Sequence, residues 1–396
     1  MKMKTRVVVA MSGGVDSSVA AALLQKEGHE VIGITMCFGL KEMNKRRPSC
    51  CGIEGIEDAR RVAHTLGIKH YVLNFDKFLQ QKVIDNFILE YLSGRTPNPC
   101  IRCNQYLKFG QLLNKAKSLG AKYLATGHYA KVVTSHQSPA TSQKYLLKKA
   151  KDKYKDQSYF LYRLKQEQLK HILFPLGNYT KDEVRKLAKE FDLPVKDKPA
   201  SQEICFIPDE DYREFLKREL QRIPKMRITA NIMPGLILDT NGKVLGEHKG
   251  IPFYTIGQRE GLDIALGYPL YAIKIDAKNN TIVVGRREDA LSYGLIASDL
   301  SFTGGPIKRE VALSVKIRYN HQEVLSRVSP VRNYGAMCKS KEVSNGVRPL
   351  GKKRVKVIFS KPQFAVTPGQ AAVFYRRREA IGGGVIESGI NNAETN

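Results

Sequence analysis

The chain has 396 residues, 42% of them hydrophobic, and a formal net charge of +27 from 65 Lys and Arg against 38 Asp and Glu. No stretch approaches the ~18 consecutive apolar residues that a helical membrane span needs, and seven cysteines, an odd count in a long chain, argue against a secreted disulfide framework. The charge excess asks for a polyanionic partner, nucleic acid before anionic membrane, since no basic amphipathic helix with a Trp or Phe face is evident.

The chain starts MKMKTRVVVA, a basic tetrapeptide running straight into a strand with no signal peptide or cleavage site before it. The expected location is therefore the cytoplasm, whose reducing conditions leave one or two cysteines chemically active. Thr5–Met11 is a continuous apolar run suited to a buried parallel strand. A helix follows with Val19, Ala20, Leu23 and Leu24 on one face, stopped by Gly28. HEVIGITMCF reads as the next strand. Ile53–Leu66 places Ile56, Ala59, Ala63 and Leu66 at helical spacing before Gly67. KHYVLNF is a strand, Lys77–Leu92 a helix, Gln105–Ser118 a helix and Ala121–Thr126 a strand. This alternation predicts an α/β domain built on an open, mostly parallel sheet with helices on both faces.

Thr134–Lys153 reads as a lysine-rich hairpin or loop. Thr180 and Glu183 have the spacing of a capping box opening a helix to Phe191, with Pro194 after it. Past Pro208 the texture changes. One helix over Asp209–Gln221 leads into short strands with turns at Asn241–Gly242 and Asn279–Asn280. From there to Gly389 only strands and turns are predicted, which implies a small β-barrel or sandwich. Arg332–Lys356 is a basic segment that reads as a long loop.

The phosphate signal is AMSGGVDSS, Ala10–Ser18, at the end of the first strand and the start of the first helix. Gly13 and Gly14 permit a tight turn that aims successive N–H groups at an anion. Ser12, Ser17 and Ser18 add hydroxyls, and the helix N-terminus adds partial positive charge. It is neither G-x-x-x-x-G-K nor G-x-G-x-x-G, so a transferable γ-phosphate and a dinucleotide are both disfavoured. S-G-G-x-D-S resembles the PP-loop of ATP pyrophosphatases, in which the loop holds the pyrophosphate leaving group while an acceptor oxygen is adenylated. Asp16 is placed to help hold Mg²⁺ between phosphates, or simply to cap the helix.

RTPNPCIRCN, Arg95–Asn104, sets Cys100 and Cys103 in a C-x-x-C spacing that serves zinc, iron–sulfur, redox-pair and nucleophilic sites alike. Taken with ATGHYAK (Ala125–Lys131), KDQSYFLYRL (Lys155–Leu164), SQEICFIPD (Ser201–Asp209), TIGQREGL (Thr255–Leu262), IRYN (Ile317–Asn320) and TPGQ (Thr367–Gln370), it resembles the tRNA-uridine 2-sulfurtransferases. These make 2-thiouridine at the wobble position, and the resemblance runs through nearly the whole chain in order.

The resemblance implies a PP-loop catalytic domain over 1–208, a linking domain over 209–270 and a tRNA-binding β-barrel over 271–396. It makes Cys103 the nucleophile and Cys205 the persulfide carrier, with Asp16 as the third catalytic residue. It gives ATP contacts to Ala10, Met11, Ser12, Gly13, Gly14, Val15, Asp16, Ser17, Met36 and Gly127. Asn98, Pro99 and Cys100 would flank the target base. His128, Lys155, Asp156, Gln157, Arg318, Tyr319 and Gln370 would meet the tRNA, and a sulfur-donor protein is a second partner. His128 also reads as a structural histidine, and Arg318 with Tyr319 as a strand pair.

One departure stands out: many members carry an aspartate where this chain has Cys100. That thiol opens the alternative of a [4Fe–4S] cluster on Cys100, Cys103 and Cys205. Zinc fits less well, lacking a fourth Cys or His at finger-like spacing. Two other classes compete with the tRNA thiolase: a PP-loop amidotransferase-type synthetase acting on a small acid, and a non-catalytic RNA-binding protein with a metal-stabilised cysteine knot. The far-apart thiols and the basic second half disfavour the first. The pyrophosphate cradle disfavours the second, since binding alone does not need one.

Overall fold

The computed structural model describes residues 4–39, 52–135, 143–199, 204–207, 211–222, 232–331 and 353–391. Cys50, Cys51 and Cys338 lie outside them, as do 332–352 of the basic segment and the residues flanking 204–207. The chain divides into two compact units: Met1–Ile88, Pro99–Arg222 and Arg378–Ala380 form the first, and Leu89–Asn98, Ile223–Arg377 and Ile381–Asn396 the second.

In the first unit, β1 (Arg6–Ala10) has Val7, Val8 and Val9 fully buried, so both faces of the strand are covered. It feeds α1 (Val15–Lys26), whose Asp16 near the start and Lys26 near the end complement the helix dipole. Gly28, at φ +87°, turns the chain out of that helix into β2 (Glu30–Cys37). Next come α2 (Ile53–Thr65), β3 (Lys69–Asn74) and α3 (Asp76–Leu79), which continues through a π-helical stretch, Gln80–Ile84, into α4 (Asp85–Leu92). Beyond them lie α5 (Pro99–Arg102), a second π-helical stretch at Cys103–Leu112, α6 (Leu113–Ser118) and β4 (Tyr123–Thr126).

β5 (Ala130–Ser135) and β6 (Lys144–Lys149) pair as a hairpin, which starts before the Thr134–Lys153 segment read as hairpin or loop and ends inside it. They are followed by α7 (Gln166–Leu169), β7 (Ile172–Leu173), α8 (Lys181–Glu190) and α9 (Tyr212–Arg222). The capping box is present as read: Glu183 N–H donates to Thr180 Oγ1 at 3.3 Å and Thr180 N–H to Glu183 Oε2 at 2.7 Å.

The sheet order is β3-β2-β1-β4-β7, and every pairing is parallel. The chain winds outward from β1 to β3, then returns to the other side of β1 with β4. That reversal leaves a crevice beyond the carboxyl ends of β1 and β4, the place where open α/β sheets bind ligands.

One helix differs from its expected position. It begins at Pro99 rather than Gln105, so the C-x-x-C lies on it. Pro99 stands at the first helical position, where its missing N–H costs nothing and its fixed φ helps.

In the second unit, β8 (Gly235–Leu238), β9 (Val244–His248), β10 (Tyr271–Asp276) and β11 (Thr281–Gly285) form a four-stranded sheet in the order β10-β11-β8-β9. Both predicted turns are there, with Gly242 at φ +85° and Asn280 at φ +49°. β12 (Leu291–Phe302), β13 (Val311–Lys316), β14 (Val324–Pro330), β15 (Val355–Phe364), β16 (Ala371–Arg376) and β17 (Glu379–Ile390) follow. They run in the order β12-β15-β14-β13-β16-β17, and a β12–β17 pairing closes the barrel. Alternate residues such as Leu313, Val315, Val328 and Val357 fill its interior. No helix among the described residues is long and apolar enough to cross a membrane.

Candidate functional site

A cavity of about 330 Å³ opens in the first unit at the crevice between β1 and β4. Ala10, Met11, Ser12, Gly14, Val15, Asp16 and Ser17 line one side of it, with Met36 and Gly127. The loop is wired by its own hydroxyls. Ser12 N–H donates to Ser17 Oγ at 3.1 Å, and the Ser17 and Ser18 hydroxyls donate to Gly14 O at 3.1 and 2.9 Å. Such bonds hold the turn at the helix N-terminus in one shape before any anion arrives.

Gly13 is not among the cavity walls but sets the turn, at φ +72°. A Cβ there would stand 2.1 Å from Gly55 O. Gly13→Ala should therefore lower stability by about 3 kcal/mol or more, from left-handed strain plus the clash. A denaturant titration would show it as a fall in midpoint at unchanged slope.

The thiols meet this loop from the other side. Pro99, Cys100, Cys103 and Cys205 line the same cavity. Cys100 and Cys103 are three residues apart on one helix, hence on one face. Cys100 is exposed, Cys103 buried and Cys205 half-buried. Cys205 is positioned by its neighbour Phe206, which packs edge-on against Phe87 at 5.5 Å and lies 5.4 Å from Phe215. Cys103 opens the π-helical stretch, a departure from regular helix that is frequent at functional sites. Among the described residues no three His, Cys, Asp or Glu side chains are grouped to hold a metal ion, so the iron–sulfur alternative gains no support.

Sequence reading missed three lysines on the cavity wall, Lys108, Lys181 and Lys198. Lys181 Nζ lies 2.6 Å from Asp16 Oδ1, and the Tyr129 hydroxyl donates to the same oxygen at 2.9 Å. Burial and the Asp16 charge raise the Tyr129 pKa far above that of an ordinary phenol, so it remains a donor. Lys181 follows the Thr180 cap directly, so the capping box was the available signal. Nothing local in the sequence says that this helix start reaches the phosphate loop.

Lys198 pairs with buried Asp58, which Arg61 also contacts. Burial raises the Asp58 pKa, but the Lys198 and Arg61 hydrogen bonds outweigh it, and the net pKa is lowered. The stabilisation is complete above the ordinary carboxylate pKa of about 3.9 and is lost as pH falls through the lower folded value. Asp58→Asn should cost about 3 kcal/mol at pH 7, because it leaves the Lys198 charge poorly compensated. The difference from wild type should shrink in melts taken toward pH 3.

His128 lines the cavity, but its Nδ1 is bonded to Thr126 Oγ1 at 2.7 Å and its ring packs 5.9 Å from both Phe109 and Phe174. Burial, then the Lys108 charge, pushes its pKa well below the usual imidazole value. That direction favours the neutral ring at pH 7. Gln157 also lines the cavity, and its Oε1 accepts from Tyr129 N–H at 3.0 Å. Asp156 is buried. Its carboxylate takes the Ala150 N–H at 2.9 Å and the Ser158 hydroxyl at 2.7 Å, so it braces the loop instead of facing solvent. Lys155 is exposed.

Asn98, Arg318, Tyr319 and Gln370 belong to the second unit. There Arg318 bonds Ala365 O and Thr367 Oγ1, and Lys316 lies 5.5 Å from the Tyr319 ring centre. Gln370 Nε2 donates to Thr96 O at 3.0 Å and Pro97 O at 3.2 Å, while Thr96 N–H donates to Pro368 O at 2.8 Å. The TPGQ motif thus clasps the RTPN segment that precedes the cysteine helix in the chain.

Comparison with known proteins accords with this arrangement. Residues 5–209 match the tRNA methyl transferase HUP domain family, 225–286 the tRNA methyl transferase PRC-barrel domain and 336–386 the aminomethyltransferase beta-barrel domain. The chain is 48% identical over 388 residues to the tRNA-specific 2-thiouridylase MnmA of Carboxydothermus hydrogenoformans, covering 97% of this chain and 98% of that one. It is 47% identical over 394 residues to tRNA-specific 2-thiouridylase MnmA 1 of Caldanaerobacter subterraneus, covering 98% and 100%. A phosphate loop, two distant cysteines on one cavity and likeness along almost the whole length converge: the chain belongs to the tRNA-specific 2-thiouridylase family.

Proposed function

We propose that this protein carries out ATP-dependent 2-thiolation of the wobble uridine of tRNA in the cavity where its phosphate loop faces its cysteines. The observation that carries the reading is that single cavity, lined by Ala10–Ser12 and Gly14–Ser17 on one side and by Cys100, Cys103 and Cys205 on the other. The matching family models have methyl transfer in their names. Two thiols beside a pyrophosphate cradle suit thiolation better, because methyl transfer requires neither.

The uracil C2 oxygen attacks the α-phosphorus of ATP, and pyrophosphate departs into the N–H groups of the phosphate loop. C2 now bears AMP, a far better leaving group than hydroxide. Cys205 carries a persulfide received from a sulfur-donor protein, a persulfide carrier or a cysteine desulfurase. Its outer sulfur attacks C2 and AMP leaves. Cys103 then attacks the Cys205 sulfur, a Cys103–Cys205 disulfide forms, and the bonding pair stays with the sulfur on the base. Alternatively Cys103 first frees hydrosulfide from the persulfide, and hydrosulfide attacks C2. Both routes balance at the same disulfide, which an external thiol reduces for the next turnover. Holding base, activated oxygen and sulfur together accounts for about 7–11 kcal/mol of barrier lowering.

Lys181 serves this reaction as a phosphate cation. In the present structure it is bonded to Asp16, and the incoming triphosphate offers it a stronger anion. Asp16 is a hard carboxylate beside the phosphate loop, suited to Mg²⁺; bound there, the ion would neutralise phosphate charge. Nucleoside mass spectrometry of tRNA incubated with the protein, ATP, Mg²⁺ and a persulfide donor tests the reading. It predicts 2-thiouridine together with stoichiometric AMP and pyrophosphate. Thiolation that proceeds without ATP would refute it.

A further inference from the structure

The loop between the β5–β6 hairpin and the cavity presents an unusual residue. Tyr154 is 93% exposed, the most exposed large hydrophobic side chain among the described residues. It stands in Lys148–Lys155, KKAKDKYK, with exposed lysines at 151, 153 and 155.

The turn beneath it is rigid. Asp152 Oδ1 accepts both Tyr154 N–H at 2.9 Å and Lys155 N–H at 3.0 Å. Asp152 Oδ2 accepts Lys181 N–H at 2.9 Å, which ties the turn to the start of α8. Lys151 Nζ reaches Glu183 Oε1 at 2.6 Å on the same helix. On the other flank buried Asp156 holds Ala150 N–H. These bonds fix the backbone of the turn, from which the Tyr154 ring and the Lys153 and Lys155 side chains project.

We propose that Tyr154 is a stacking platform for an unpaired base of the tRNA, flanked by Lys153 and Lys155 as phosphate contacts. The proposal rests on the tRNA-thiolase reading of the same unit. An exposed flat ring on a fixed backbone, with a cation on each side, matches how single-stranded RNA is held: bases stack on aromatic faces while the backbone meets lysines. A tyrosine has few torsions to freeze on binding. The position fits as well. Gln157 lines the cavity and lies three residues on, at most about 10 Å of extended chain from Tyr154. The stacked base would therefore be a near neighbour of the uridine being modified.

The test measures tRNA affinity by filter binding at several salt concentrations for wild type, Tyr154→Ala, Tyr154→Phe and Lys153→Ala. Stacking predicts that Tyr154→Ala weakens binding about tenfold or more without changing the salt slope, and that Tyr154→Phe stays within about twofold. Lys153→Ala should weaken binding and reduce the salt slope by roughly one. An unchanged affinity for Tyr154→Ala overturns the proposal, as does an equal loss in Tyr154→Phe, which would assign the effect to the hydroxyl. Wild-type protein that fails to bind tRNA at all would overturn the thiolase reading itself and this inference with it.

Discussion

Cys205→Ser protein given tRNA, ATP, Mg²⁺ and a persulfide donor should form 2-thiouridine at least on the order of 10³ more slowly than wild type, while pyrophosphate release persists. A serine hydroxyl cannot carry a sulfane sulfur, yet it leaves the phosphate loop and its lysines untouched. Adenylation and sulfur delivery are thus separated by one atom. Cys103→Ser should be as inactive in turnover but fail differently. If the persulfide attacks directly, tRNA should accumulate attached to Cys205 through two sulfurs, releasable by an added thiol. If Cys103 first frees hydrosulfide, no such adduct should form. Mass spectrometry of the intact protein reads both outcomes. Normal thiolation by Cys205→Ser would remove the persulfide assignment altogether.

Lys181→Ala should lower kcat/KM for ATP by about 10²–10³, the scale of a lost charge-assisted contact to transferring phosphate. Lys181 is nearly buried, with 14% of its side chain exposed, and lies 2.6 Å from Asp16. Its removal deletes a phosphate cation and strips Asp16 of its counter-charge, which adds repulsion toward the triphosphate. Lys181→Arg should recover part of the loss, because charge is kept while the fork geometry differs. Equilibrium binding of pyrophosphate, measured without turnover, should weaken in parallel. An unchanged pyrophosphate affinity in Lys181→Ala would show that the residue serves only the fold.

The parallel sheet, most of its helices and the strand-rich second half were legible in the sequence because each announces itself locally, whereas closure of a barrel by the β12–β17 pairing is not a local feature. Apolar runs such as Val7–Val9, the glycine after α1, the Thr180–Glu183 box and the Asn241–Gly242 turn act over a few residues, and the structure has all of them. The phosphate loop was legible for the same reason, since its conformation follows from adjacent glycines and a helix start.

What only the tertiary structure decided is which distant groups meet. The sequence could pair Cys103 with Cys205 through family resemblance, but no local signal places them on one cavity wall; the packing of Phe206 on Phe87 helps do so. Likewise only the fold shows that the Asp156 carboxylate accepts from Ala150 N–H and the Ser158 hydroxyl, and that burial lowers the His128 pKa. Lys181 carried no signal in the sequence beyond its place after the Thr180 cap, and only the fold brings it to Asp16. Local preference depends on a few neighbouring torsions and is written in the chain. Burial and charge pairing depend on separations that exist only after the sheet has closed its helices around β1.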